Sequence, residues 1–207
     1  GGLHGALDGA LALVSGRGLI DLDALFGSPP WAMAGLHGLE LRHADGNRLE
    51  RPTDASELAR LRREAQAVAE RLPGVRLEDK GLAVALHSRQ APAQWQAMAE
   101  AAQALAADLE HYELQPGSQV MEFKPRGIDK GVAVSELLER APFLGRVPVY
   151  LGDDLTDEHA FAVANLGNGV SVRVGDREPT LAQFTLAGPA EVRAWLERLT
   201  QALAHSK

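Results

Sequence analysis

Two apolar runs, ALALVSG at residues 10–16 and VPVYLG at residues 147–152, are continuous rather than alternating, and both end in glycine. A strand that is apolar on both faces must be covered on both faces, which is the situation of a parallel sheet between layers of helix. GVSVRVG at residues 169–175 is a third, shorter candidate. Such strands predict an α/β core whose loops sit at the carboxyl ends of the strands, where open doubly wound sheets bind their ligands.

The region between the first two runs has a different period. Leu58, Leu61, Ala65, Val68 and Leu72 recur at spacings of three and four, and Trp95, Met98, Ala102, Leu105 and Leu109 repeat the pattern. These are two amphipathic helices whose apolar stripes face a core. Alternating segments follow each, VRLEDKGLAVALHSR after the first and YELQPGSQVMEFK after the second. The expected layout is β-α-β-β-α-β-β, a small α/β layer inserted in a split core. The clearest breaks are GSPP at residues 27–30 and HADGN at residues 43–47. The expected division is therefore a core at 1–44, an inserted cap at 45–123 and the rest of the core at 124–207.

The 207 residues contain no cysteine, which excludes disulfides, iron–sulfur clusters and thiolate zinc sites and fits a reducing cytoplasmic compartment. No apolar run is long enough to span a bilayer, so no membrane partner is expected. A formal charge of −7 without a local basic patch argues against nucleic acid and for a small ligand.

Chemistry concentrates at the loops that follow the core strands. YLGDDLTDEHAF puts Asp153, Asp154, Asp157 and Glu158 directly behind an apolar strand. Hard oxygen donors without Cys or His suit magnesium. The same acids also suit the N-cap and first turn of a helix, so both roles stay open on this motif alone. VSGR places Ser15, a glycine and Arg17 at the end of the first run, where a hydroxyl and backbone N–H groups can hold a phosphoryl oxygen. KPRGIDKG brings Lys130 to the start of a helix, where an ammonium can neutralise phosphate charge. Three such loops on one core point together to phosphoryl chemistry. In the insert, the period of two places Ala83, Ala85, His87 and Arg89 on one face, and Glu122 with Lys124 on the corresponding face of another strand. A face of mixed donors and acceptors is what sugar hydroxyls require.

Taken in order, SGR, GLHG, KGLAVALHSR, EFKPRGIDKG and GDDLTDE resemble the trehalose-6-phosphate phosphatases of the haloacid-dehalogenase-like superfamily, over essentially the whole chain. The resemblance implies a Rossmann-like core with an inserted α/β cap, Mg²⁺ as cofactor and a small phosphorylated disaccharide as substrate. It implies that Ser15 binds the transferring phosphoryl group and Lys130 neutralises it. On the same resemblance Asp153 would ligate Mg²⁺, with Asp154 and Asp157 ligating or orienting beside it. Arg17, His37, Lys80, His87, Arg89, Glu122 and Lys124 fall on the substrate side.

The family reaction starts on a first strand ending in DxDGT, whose first Asp attacks phosphorus and whose second protonates the leaving sugar, an aspartyl-phosphate mechanism. That motif is not in this sequence. Asp8, in LDGAL, lies only seven residues before Ser15 and cannot end an earlier strand. The chain starts Gly1-Gly2 without Met, so truncation is the expected explanation, and these residues by themselves are expected to be inactive. An inactive phosphosugar-binding module, and an enzyme acting on sucrose phosphate or mannosyl-3-phosphoglycerate, are the competing expectations.

Overall fold

The computed structural model describes residues 2–205. They form two compact units, one built from the chain up to Glu50 together with the chain from Asp129 onward, the other from Arg51–Ile128.

The first unit opens with α1 (Gly2–Ala6), β1 (Ala12–Val14), α2 (Leu19–Phe26), β2 (Ala32–Gly35), β3 (Glu40–Arg42) and β4 (Arg48–Glu50). β1 and β2 run parallel, with Leu13 opposite Met33, and β3 and β4 extend the sheet antiparallel. All four residues of β2 are buried, and Met33 packs against Leu19 and Leu22 of α2. The N-cap of α2 is Gly18, which has no side chain to offer, and Glu40 Oε2 accepts the Leu19 N–H at 2.7 Å instead. HADGN, expected to separate the domains, is the turn of the β3–β4 hairpin, closed by the His43 N–H on the Asn47 carbonyl at 2.8 Å. Pairing with β3 keeps β4 in the core sheet, so the crossing to the second unit comes at residue 51, later than the expected 45.

The second unit comprises α3 (Ala55–Arg71), β5 (Arg76–Asp79), β6 (Val84–His87), α4 (Trp95–Ala107), β7 (Tyr112–Gly117) and β8 (Val120–Pro125). Its four strands form one antiparallel sheet in the order β5-β6-β8-β7. The leading strand of the expected layout is absent from this unit, because the segment that supplies it is β4. Asp54 caps α3 by accepting the Glu57 N–H at 2.7 Å, a contact that such caps make to one of the orphan donors of the first turn. Leu58, Leu61, Ala65 and Val68 of α3 and Met98, Ala102 and Leu105 of α4 close over Val84, Leu86, Met121 and Phe123. The register sets Leu77, Leu86 and Met121 in one row across the sheet and Glu78, Ala85, Glu122 and Gln115 in the next. One face is thus apolar under the helices and the other is polar, as period two demands. β8 runs on to Pro125, and Lys124 holds the Ile128 carbonyl at 2.6 Å. The unit therefore ends at 128 rather than 123.

The chain returns to the first unit with α5 (Lys130–Leu138), β9 (Val149–Gly152), α6 (Glu158–Leu166), β10 (Val170–Val174), β11 (Phe184–Leu186) and α7 (Pro189–His205). β9, β10 and β11 make a parallel sheet in the order β11-β10-β9. α5 packs on α6, on β1 and on β2, and α6 packs on β9 and β10, so this helix pair bridges the two sheets of the unit. β1 ends one sheet and β9 ends the other, and neither outer edge pairs with a strand among the described residues. That position accounts for their incomplete burial: the residues of β1 are half-buried and Val149 is exposed, although their sequences are apolar enough for a covered strand.

Candidate active site

β1 delivers Ser15, Gly16 and Arg17 at its carboxyl end. The Ser15 N–H still bonds to Ala34 at 2.9 Å, after which the chain turns, and Ser15 Oγ accepts the Arg17 N–H at 3.2 Å. β9 delivers Gly152, Asp153 and Asp154. Between the ends of these strands in sequence, Asp129 caps α5 by accepting the Val132 N–H at 2.9 Å, which makes Lys130 the first helical residue.

Asp157 is the centre of the acidic loop. It is 2% exposed, and its two oxygens meet four donors. Oδ1 accepts from Lys130 Nζ at 2.7 Å and from the Tyr150 hydroxyl at 2.8 Å. Oδ2 accepts the backbone N–H groups of Asp153 at 3.0 Å and Asp154 at 2.9 Å. A Cβ on Gly152 would overlap the Asp157 carboxyl, so the strand must end in glycine for the acid to fold back beneath it. Asp154 forms a capping box with Asp157, and its Oδ1 accepts from the Leu155 N–H at 2.7 Å and Arg177 Nη2 at 3.2 Å. Asp153 is exposed, and no described protein group donates to its carboxylate. The helix-start role and the orienting role are thus built from the same residues: Asp157 faces inward and sets the backbone from which Asp153 projects. Burial pushes the Tyr150 phenol above its usual range, and the neighbouring Asp157 charge adds to the shift, so Tyr150 stays a donor. Tyr150→Phe is expected to cost about 1 kcal/mol of stability, one neutral donor to a carboxylate that keeps three others, measured by urea unfolding.

On the polar face of the second unit, Lys80 Nζ meets Glu122 Oε1 at 3.0 Å, and Lys124 Nζ meets Glu113 Oε1 at 2.6 Å. Glu122 and Lys124 are buried, although they lie on the face away from the helices. His87 Nε2 lies 2.7 Å from Glu78 Oε2, and both border a cleft of about 400 Å³ with Arg76, Leu77, Arg89 and Gln90. β6 stops at His87, so the period-two rule does not extend to Arg89; a turn carries it to the same cleft. His37, expected on the substrate side, is buried within the first unit, with its ring against Gly16.

A family model described as trehalose-phosphatase matches residues 5–190. The chain belongs to the trehalose-phosphatase family. Among its relatives, trehalose-6-phosphate phosphatase of Escherichia coli (strain K12) is 44% identical over 204 residues, covering 98% of this chain and 76% of the relative. A probable trehalose-phosphate phosphatase of Sinorhizobium fredii is 40% identical over 84% of this chain, which spans 65% of that relative. Against trehalose-phosphate phosphatase of Mycobacterium tuberculosis (strain H37Rv) the identity is 35%, and this chain spans about half, 52%, of its length. Among solved structures, the C-terminal domain of Candida albicans trehalose-6-phosphate phosphatase superposes with a TM-score of 0.80 at 22% identity, covering 92% of this chain and 78% of that one. Aspergillus fumigatus trehalose-6-phosphate phosphatase superposes with a TM-score of 0.63 at 26% identity, over 93% and 78%. The fold is the haloacid-dehalogenase-like one shared by these phosphatase domains.

Within this trehalose-phosphatase chain, the loop after β9 has the donor chemistry that magnesium uses, namely one or two carboxylates alongside waters and phosphate oxygens. Asp153 is uncommitted and Asp154 is partly committed, while Asp157 has both oxygens occupied by donors. Among the described residues no group of three or more His, Asp or Glu side chains is arranged to hold a metal ion, and Asp157, expected to ligate or to orient beside Asp153, turns inward onto Lys130, Tyr150 and two backbone N–H groups. Tyr150, Glu113, Glu78, Arg76 and Glu40 take part in this architecture and escaped the sequence reading. Tyr150 sits in an apolar strand and reads as core. Glu113 and Glu78 alternate with apolar residues in their strands, a signal that could have placed them on the polar face beside Lys124 and His87.

Proposed function

We propose that these residues bind the phosphoryl group and read the sugar in a magnesium-dependent phosphatase that converts trehalose 6-phosphate to trehalose and inorganic phosphate. The observation that carries the proposal is the buried Lys130–Asp157–Tyr150 network, which fixes the acidic loop at the end of β9 and holds a lysine ammonium beside it. An ammonium has three donors, so Lys130 can keep Asp157 and still offer a proton to a phosphoryl oxygen. Ser15 Oγ and the Gly16 N–H supply neutral donors to the same group. Asp153 and Asp154 would hold Mg²⁺, whose charge when bound stabilises the transferring phosphoryl group. Glu122, Lys80, Lys124, His87 and Arg89 present the acceptors and donors that disaccharide hydroxyls need. The trehalose 6-phosphate assignment is supported by the likeness to trehalose-6-phosphate phosphatases together with this polar face.

The attacking carboxylate of the family reaction is not among the 207 residues, and Asp8 does not replace it: it sits in the turn before β1, 3.8 Å from Arg146. These residues alone are expected to release no phosphate. Joined behind a strand ending in DxDGT and given Mg²⁺, they are expected to hydrolyse trehalose 6-phosphate with a higher kcat/KM than sucrose phosphate, mannosyl-3-phosphoglycerate or p-nitrophenyl phosphate. Equal rates across that panel would remove the substrate assignment.

Glu122→Ala separates the sugar face from the phosphoryl site. Truncation leaves Lys80 and any bound hydroxyl without an acceptor, a loss of about 1–3 kcal/mol, or roughly ten- to hundredfold in kcat/KM for trehalose 6-phosphate. Hydrolysis of p-nitrophenyl phosphate, which has no hydroxyls to read, is expected to stay nearly constant. A parallel loss on both substrates would make Glu122 a structural acid.

A further inference from the structure

Leu36, His37 and Gly38 all have positive φ, at 47°, 60° and 110°. Left-handed residues usually occur singly, and a run of three survives only where the surroundings hold it. Here both sides hold it. The Leu36 N–H donates to the Arg17 carbonyl and the His37 N–H to the Ser15 carbonyl, each at 2.9 Å. On the other flank, a Cβ on Gly38 would lie 2.9 Å from Ala133 Cβ and 3.2 Å from the Asp129 carbonyl, so the turn is seated against the first turn of α5, the helix that begins with Lys130. The His37 ring lies directly against Gly16, where a Cβ would come within 2.6 Å of Nε2 and 2.8 Å of Cε1. His37 is 7% exposed.

We propose that His37 is a positioning residue for the phosphoryl loop: its ring is the surface on which Gly16 rests, and its backbone ties the Ser15 carbonyl to a turn that also abuts the Lys130 helix. The 36–38 turn thereby sets the distance between the Ser15–Arg17 donors and Lys130. Glycine at 16 follows from that contact rather than from backbone conformation, since its φ is not in the left-handed region. The inference rests on Ser15 and its neighbours being the phosphoryl-binding loop, and assigns His37 to the phosphate rather than to the sugar.

The test is a titration of the ¹⁵N-labelled 207-residue chain with inorganic phosphate in the presence of Mg²⁺, following the Gly16 and Arg17 amide resonances, with thermal unfolding in parallel. In the unmodified chain the Gly16 resonance is expected to shift and saturate. His37→Asn keeps a residue tolerant of left-handed φ and removes the ring, and is expected to weaken phosphate binding about tenfold or more, since small misplacements of donors carry large penalties. Gly16→Ala attacks the same contact from the other side and leaves the turn residues intact, so it serves if His37→Asn does not fold. The double variant is expected to bind phosphate better than Gly16→Ala alone, because the shorter side chain frees the space the new methyl needs. No response at Gly16 in the unmodified chain would remove the phosphoryl-loop assignment, and the inference with it. Unchanged affinity in His37→Asn, or a double variant no better than Gly16→Ala, would overturn the positioning role while leaving that assignment standing.

Discussion

Asp157→Ala is expected to lower the unfolding free energy of the chain by about 3–5 kcal/mol, the usual cost of stripping one partner from a buried ion pair. Asp157 and Lys130 are both almost wholly buried and 2.7 Å apart, so the substitution leaves an ammonium in a poorly solvated place. It also removes the acceptor of the Tyr150 hydroxyl and of two backbone N–H groups, and unsatisfied buried donors are expensive in their own right. Lys130→Met added to Asp157→Ala is expected to recover part of the loss, because an apolar side chain has no charge to strand. Urea unfolding of the two variants decides the matter. A loss below about 1 kcal/mol for Asp157→Ala would mean that water or a rearranged loop replaces the carboxylate, and that it does not organise the acidic loop.

Asp153→Asn is expected to do the reverse, abolishing catalysis while leaving the fold alone. In the chain joined behind a DxDGT strand, kcat/KM for trehalose 6-phosphate should fall on the order of a thousandfold, since a weakened metal ligand forfeits several kcal/mol of charge stabilisation at the transition state. The unfolding midpoint should barely move, because the Asp153 side chain is exposed and accepts from no described protein group. Near-normal turnover at low Mg²⁺ would reduce Asp153 to an acid at the start of a helix. The two variants form a pair: acids four positions apart in one motif, one expected to act through stability and the other through chemistry.

The faces of the second unit were legible in the sequence because alternation is a local property. Once 84–87 and 120–125 are strands, Leu86 and Met121 must lie opposite Ala85 and Glu122, whatever the rest of the chain does. The same holds for the helix stripe from Leu58 to Val68, and for the glycine that ends β9, which marks where a parallel strand gives way to a loop. Other features depended on residues distant in sequence. Which acid of DDLTDE turns inward is decided by Lys130, 27 positions away, and by Tyr150 of β9, seven positions before it, since together they provide donors that make burial of a carboxylate tolerable. His37 reads as a polar residue near a binding motif, and only the approach of Gly16 and α5 shows that its ring is buried. The unit boundary moved for a similar reason: HADGN has the composition of a linker, but pairing of β4 with β3 makes it a hairpin turn. Sequence alone determined the period of each segment and the chemistry at the strand ends. Tertiary structure decided which of those side chains face each other, because burial and hydrogen-bond satisfaction depend on partners that no local pattern contains.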